Sequence, residues 1–270
     1  MRGADAGWNP TFAEVVRAFA VGASSQVRQM RGNPDWFLAM FTAPLLTAVF
    51  VTIFLAADRG DLTAYGVLAP ALICLFQMSL QTAGELISRE RENGSLEALL
   101  AAPVPFAALL MGRIAAVTAI SMVGFAESWL VGWVLTGTPV PIAHPEVFAV
   151  TVALTAVAMT GWAGVMSCVF VLARSARTFQ NSLSYPFYLL GGVLVPVALL
   201  PAWAEVPSRL VFLSWSSDLL RDALTAEPVL DLPLRLAALA VLAGAGYALT
   251  AVLLSRTLRR VRATGRLTHA

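Results

Sequence analysis

Six stretches of this chain run for about the thickness of a bilayer's hydrocarbon core with almost no charge: Trp36 to Ala57, Leu62 to Ala83, Ile114 to Leu135, Val147 to Ala173, Tyr185 to Leu200 and Leu234 to Leu254. A core of ~30 Å takes ~20 apolar helical residues, so each reads as a membrane-spanning helix. The fifth is the shortest and holds Pro196. Backbone that crosses lipid must satisfy its own hydrogen bonds, which leaves helices as the economical solution for runs this long. The 270 residues are 58% apolar and 13% charged, against ~45–50% and ~25% for a soluble domain, so a water-soluble globule is excluded. The expected fold is all-α and polytopic, one membrane domain over residues 1–270 without repeats or low-complexity tracts.

The charges that remain are informative by type and by place. Every one of the 18 basic residues is Arg, and the absence of Lys removes Schiff-base chemistry and the P-loop lysine of an ATPase from what these residues can do. Fourteen arginines (2, 17, 28, 31, 89, 91, 113, 174, 177, 256, 259, 260, 262 and 266) fall on one side of the alternating connections, and only Arg59, Arg209, Arg221 and Arg235 on the other. The positive-inside rule then sets both termini in the cytoplasm, consistent with six spans in a cytoplasmic membrane. The first apolar run begins after about 35 mixed residues, unlike the h-region of a cleavable leader, so the N-terminus is expected to stay. Cys74 and Cys168 sit in apolar runs as packing residues, and His144 and His269 are far apart, so no disulfide framework, metal centre or catalytic constellation is suggested. A net charge of +2 gives no argument for nucleic acid.

Two segments outside the spans have helical patterning. Thr11 to Arg31 reads as an interfacial helix on the inner leaflet, with Phe12, Val15, Val16 and Phe19 on one face and Arg17, Arg28 and Arg31 roughly opposite. An ordinary amphipathic helix, or two short ones broken at Gly22 and Ser24, fits the same pattern. Pro201 to Pro233 is too charged to span and too apolar for a free loop, which suggests re-entrant helices at the outer interface. Its acids from Asp218 to Asp231 read as a solvated face.

The stretch from Glu85 to Pro105 carries the strongest motif. Charges crowd up to Glu92, Asn93 and Gly94 make a turn, and Ser95 is placed to cap a short helix bearing Leu96, Leu99 and Leu100 on one face before Pro103 and Pro105 end it. Such a helix docks into a partner's groove or tucks its leucines against the bilayer; the pattern alone fits both. The run from Arg89 to Pro103, followed by Gly112 and Arg113, resembles the signature of type 2 ABC transporter permeases, the family of drug, lipid and polysaccharide exporters, with Ser95 where the family usually has Thr. A looser match runs from Tyr188 to Pro196, then Leu199 to Trp203, Ser214, and Asp218 to Arg221.

The resemblance implies an export subunit with no nucleotide site and no cofactor of its own. ATP and Mg would be held by a separate ATP-binding subunit, and a second permease, identical or related, would complete the transporter. It further implies that Glu90, Arg91, Glu92, Gly94, Leu96, Glu97, Leu99, Leu100 and Pro103 form the ATPase-coupling helix. By the same resemblance the second and fifth spans line the substrate path, offering Phe76, Met78, Phe187 and Tyr188.

Glu127 stands inside the third span, where a carboxylate costs ~2.5–3.5 kcal/mol. Three readings are open: a hydrogen bond to Thr160 or Ser167 of the fourth span, a proton- or cation-coupling role, or a shifted span that brings Glu127 toward the interface beside Trp129 and Trp133. The coupling role defines the rival function, an ion- or proton-coupled secondary transporter. Gly161, Gly164, Gly191, Gly192, Gly244 and Gly246 permit close helix approach.

Overall fold

The computed structural model describes residues 11–32, 40–92, 105–172 and 176–264, and among these there is helix and no strand. Ten α-helices follow in order: α1 (Phe12–Arg31), α2 (Thr42–Ala56), α3 (Thr63–Glu92), α4 (Phe106–Ser121), α5 (Val123–Thr136), α6 (Pro145–Leu172), α7 (Ala176–Leu190), α8 (Ala202–Arg209), α9 (Phe212–Asp222) and α10 (Leu232–Thr264). Four segments are long and apolar enough to cross a membrane: the first part of α3, α4 with α5, α6 and α10. The apolar α2 is shorter, at 15 residues.

The α1 helix is continuous through Gly22 and Ser24, so the two-helix alternative does not hold. Thr11 opens it with a capping box: its backbone N–H donates to Glu14 Oε2 at 2.8 Å and its hydroxyl accepts from the Glu14 N–H at 3.4 Å. Caps of this kind contribute ~1 kcal/mol. The buried stripe is Ala18, Gly22, Gln26 and Met30, each four residues after the last, and it lies on α4. At the crossing a Cβ on Gly22 would collide with the Leu109 carbonyl, and one on Gly112 with the carbonyl of Phe19. Two glycines thus let the backbones touch. Arg113 fixes the rotation by donating to Gln26 Oε1 at 3.1 Å and Gln29 Oε1 at 2.9 Å. Phe12, Val16 and Phe19 stay exposed, Phe12 at 84%, so the apolar face expected to meet lipid is not spent on the bundle.

The third helix is the hub, packed against α2, α4, α5, α6, α7 and α9. Its residues Leu68, Leu72, Leu75, Phe76 and Leu80 are all but fully buried. Ser79 and Thr118 share a hydrogen bond of 3.1 Å between α3 and α4. The α4 and α5 helices form one span interrupted at Met122. Just before it, Thr118 and Ser121 return their hydroxyls to Ile114 O and Thr118 O, the back-bonding that bends helices. Along α6 and α10, Gly161 lies against Tyr247 and Ala243, Gly164 against Met111 and Thr250, and Gly246 against Trp162. The Trp162 indole donates to Leu242 O at 3.0 Å and the Thr250 hydroxyl to Gly161 O at 2.9 Å. Gly244 faces open space and takes no part in the crossing.

The expected fifth span is displaced. Tyr185 to Leu200 was the apolar stretch, yet the helix there is α7, which starts at Ala176 and stops at Leu190. Its first half is polar, with Gln180 and Asn181, and escapes a hydropathy reading. Its stop is a Schellman motif: Gly192 takes φ +66°, Gly192 N–H donates to Leu189 O at 3.1 Å, and Val193 N–H to Tyr188 O at 3.0 Å. Pro196 lies beyond the helix, in the turn leading to α8. Within residues 201–233 stand α8 and α9, a helical pair: α8 exposes Trp203 and Val206, while α9 buries Phe212, Leu213, Leu219 and Leu220.

Candidate functional site

Of the expected coupling residues, Glu90, Arg91 and Glu92 belong to the final turn of α3 by backbone alone, and their side chains lie outside the described residues. Gly94, Leu96, Glu97, Leu99, Leu100 and Pro103 also lie outside them. What the structure supplies is their setting. In sequence the segment joins the end of the hub helix to Phe106, the first residue of α4, whose next turns are pinned by α1.

The expected pathway residues divide. Phe76 of α3 meets both aromatics of α7, with ring centroids 5.5 Å from Phe187 and 5.3 Å, edge-on, from Tyr188. Such contacts contribute ~0.5–1.5 kcal/mol beyond area burial. Phe76 and Phe187 also line an apolar cavity with Leu80, Met159, Trp162, Ala163, Met166 and Phe212. At about 10 Å³ it holds no more than one water-sized sphere and its walls are apolar. Met78 is not part of this group; it sits in a separate cluster with Met30, Ala43, Cys74 and Val117.

Glu127 lies on α5 one turn beyond Gly124, which packs on Cys74 and Ala43 of α3 and α2. Its Oε2 is buried without a hydrogen-bond partner among the described residues. The Thr160 hydroxyl, one of the expected partners, donates instead to Ala156 O at 2.9 Å. Thr160 belongs to the α6 segment that packs on α10, so its commitment is to a different interface.

Of the acids expected to form a solvated face, Glu227 and Asp231 are exposed, whereas Asp218 and Asp222 are held in ion pairs. Asp218 takes Arg209 at 3.0 Å and stands 3.8 Å from Arg221, and Asp222 takes Arg235 at 2.5 Å. Arg209 lies over the Trp215 ring, 5.0 Å from its centroid, while the Trp215 indole donates to Arg209 O at 2.9 Å. Arg221 is the residue whose role the sequence concealed. It is 8% exposed and its Nη2 donates to the carbonyls of Gly192 and Val193. Its guanidinium also sits over Tyr65, 5.8 Å from the ring centroid. Burial pushes its pKa below the ordinary value, and Asp218, then Tyr65 and Asp222, push it back up. Ser208 donates to Leu190 O at 2.5 Å and Ser217 to Gly191 O at 2.7 Å. The sequence cues were an acid and an arginine one turn apart, Asp218 and Arg221, and their place in the looser of the two family matches.

Aromatic contacts from the hub helix to α7, a helical pair folded back on the end of α7, and a charged segment before α4 together restate the order in which the sequence motifs occur. The family model for the ABC-2 type transporter matches residues 17–225. The chain belongs to the ABC-2 type transporter family. That match runs from the middle of α1 past the end of α9 and takes in the segment before α4, the aromatic group and the capped end of α7. No curated protein matches the chain at a significant level. As an ABC-2 type membrane subunit it is a multi-pass transport protein of a family that works with ATP-binding subunits.

Proposed function

We propose that this ABC-2 chain is the membrane permease of an ATP-driven exporter, moving an amphipathic drug, lipid or natural product across the cytoplasmic membrane. Both termini face the cytoplasm and a separate subunit hydrolyses ATP. The observation that carries the reading is the family match over residues 17–225, and the absence of Lys for a P-loop agrees with it. The partner closes on ATP and pushes on the coupling helix within residues 85–105. That push shifts a two-state bundle between inward and outward openings. In the closed bundle the apolar cavity beside Phe76 and Phe187 is nearly shut, and separation of α3 from α7 widens it. A second permease, identical or related, supplies the other wall.

The test is co-purification in detergent with candidate ATP-binding subunits. Specific capture, with the ATPase rate raised by the permease, is the expected result. Capture by none of them would sink the reading.

The rival is an ion- or proton-coupled carrier, favoured by the single orphaned oxygen of Glu127. Glu127→Gln keeps the shape and removes the charge. Under the ATP-driven reading export by the reconstituted complex stays within about twofold of wild type, and the variant is at least as stable, since an uncompensated carboxylate has been removed. Transport that disappears while the ATPase persists would transfer the driving role to Glu127.

A further inference from the structure

Four consecutive carbonyls at the end of α7, those of Leu190, Gly191, Gly192 and Val193, accept hydrogen bonds from side chains of the helical pair: Ser208 on α8, Ser217 and Arg221 on α9. A helix normally leaves its last carbonyls to water or to a local cap. Here the Schellman bonds use those of Tyr188 and Leu189, and the pair takes the next four. The strongest donor is the charged one, placed at the negative end of the α7 dipole. Gly191 is part of the same fit, because a Cβ there would lie 2.7 Å from the Leu213 side chain.

The cap has a geometric result. It ties α9 to the end of α7 through Ser217 and Arg221, Leu213 in the first turn of α9 meets Gly191, and Phe212, the first residue of α9, is 1% exposed and forms part of the wall of the apolar cavity with Phe76 and Phe187. Arg221 is more than two turns further along and touches no cavity residue through the bonds described. We propose that Arg221 is a positioning residue that clamps the helical pair onto the end of α7, so that Phe212 stoppers the outer end of the substrate path. The role as stopper rests on the permease reading; the clamp itself does not. Opening outward requires the four carbonyls to be released together, and Asp218 stands beside the guanidinium to receive it when they are.

The test is thiol accessibility in the detergent-purified full chain. Phe212→Cys is introduced with Cys168→Ala, leaving Cys74 as an internal reference; Cys74 is 2% exposed and lies in the cluster with Met30 and Ala43, which contains no residue of the helical pair. With Arg221 intact, a hydrophilic maleimide reacts slowly at both positions. With Arg221→Met, which keeps the length and removes the donors, labelling at position 212 rises about tenfold while Cys74 stays protected, the signature of a local opening. Two outcomes overturn the proposal: no change at 212, or an equal rise at 212 and Cys74, which would make Arg221 a general stabiliser. Should Arg221→Met fail to accumulate, the Ser208→Ala, Ser217→Ala double variant removes two of the cap's donors and is read by the same comparison. None of these arms requires an ATP-binding subunit, so a failed co-purification and a failed clamp remain distinguishable.

Discussion

Leu99→Arg abolishes export and the stimulation of the partner's ATPase while the chain still inserts and folds. Residues 93–104 fall in sequence between α3 and α4 and lie outside the described residues, and none of the core contacts given for the described helices involves position 99. In a docked helix bearing Leu96, Leu99 and Leu100, the central leucine is the natural anchor. Truncating such an anchor costs ~2 kcal/mol or more, and an unpaired guanidinium in the same groove adds desolvation to that loss. Binding then falls at least about thirtyfold, enough to empty the complex at ordinary concentrations. The measurements are co-purification, ATPase rate and elution profile on one preparation. Unchanged export in this variant would remove the segment from the coupling role.

Gly112→Val detaches α1 from the bundle. Even one methyl group at this position meets the carbonyl oxygen of Phe19 and comes within 3.1 Å of the Ala23 nitrogen, and both are backbone atoms that cannot rotate away. Overpacking of a side-chain contact costs ~1–3 kcal/mol, and a backbone contact has no rotamer to relieve it, so the upper end of that range applies. Protease cleavage within α1 and a lowered melting temperature in detergent are the expected readings. Gly244→Val is the matched control, because nothing lies within 4 Å of that position. A Gly112 variant as stable and as resistant as the control would show that the close crossing is not maintained.

The helical class was legible because charge-free runs of this length have few other solutions, and α3, α4 with α5, α6 and α10 stand close to the stretches marked by hydropathy. The fifth helix was misplaced for a definite reason. An apolar window senses side chains, whereas the end of α7 is written in the backbone of Gly191 and Gly192 and in the polar donors Ser208, Ser217 and Arg221, some 15 to 30 residues downstream. Two of the acids, Asp218 and Asp222, were misjudged for a related reason: Asp222, for one, finds its partner in Arg235, on the next helix, and only the folded chain brings them together. Phe76, Phe187 and Tyr188, named together from the family resemblance, are in ring contact, while Met78 points to another cluster because it lies two residues from Phe76 on a helix, roughly 200° around its axis. Glu127 was noticed from sequence, but the hydroxyl of Thr160, one of its expected partners, is spent on its own helix.

The crossing of α1 and α4 also has a mechanical meaning. Side-chain interfaces yield under load because rotamers hop; an interface of main chain on main chain yields only if a helix unwinds. With Gly22 seated on the Leu109 backbone, Gly112 on that of Phe19, and Arg113 holding two glutamines, α1 is a stiff outrigger fastened within two turns of Phe106. Force arriving at Pro105 therefore finds a fulcrum rather than a cushion, and it emerges as tilt of the α4 and α5 span about that point, with Met122 as the joint where the tilt can be absorbed.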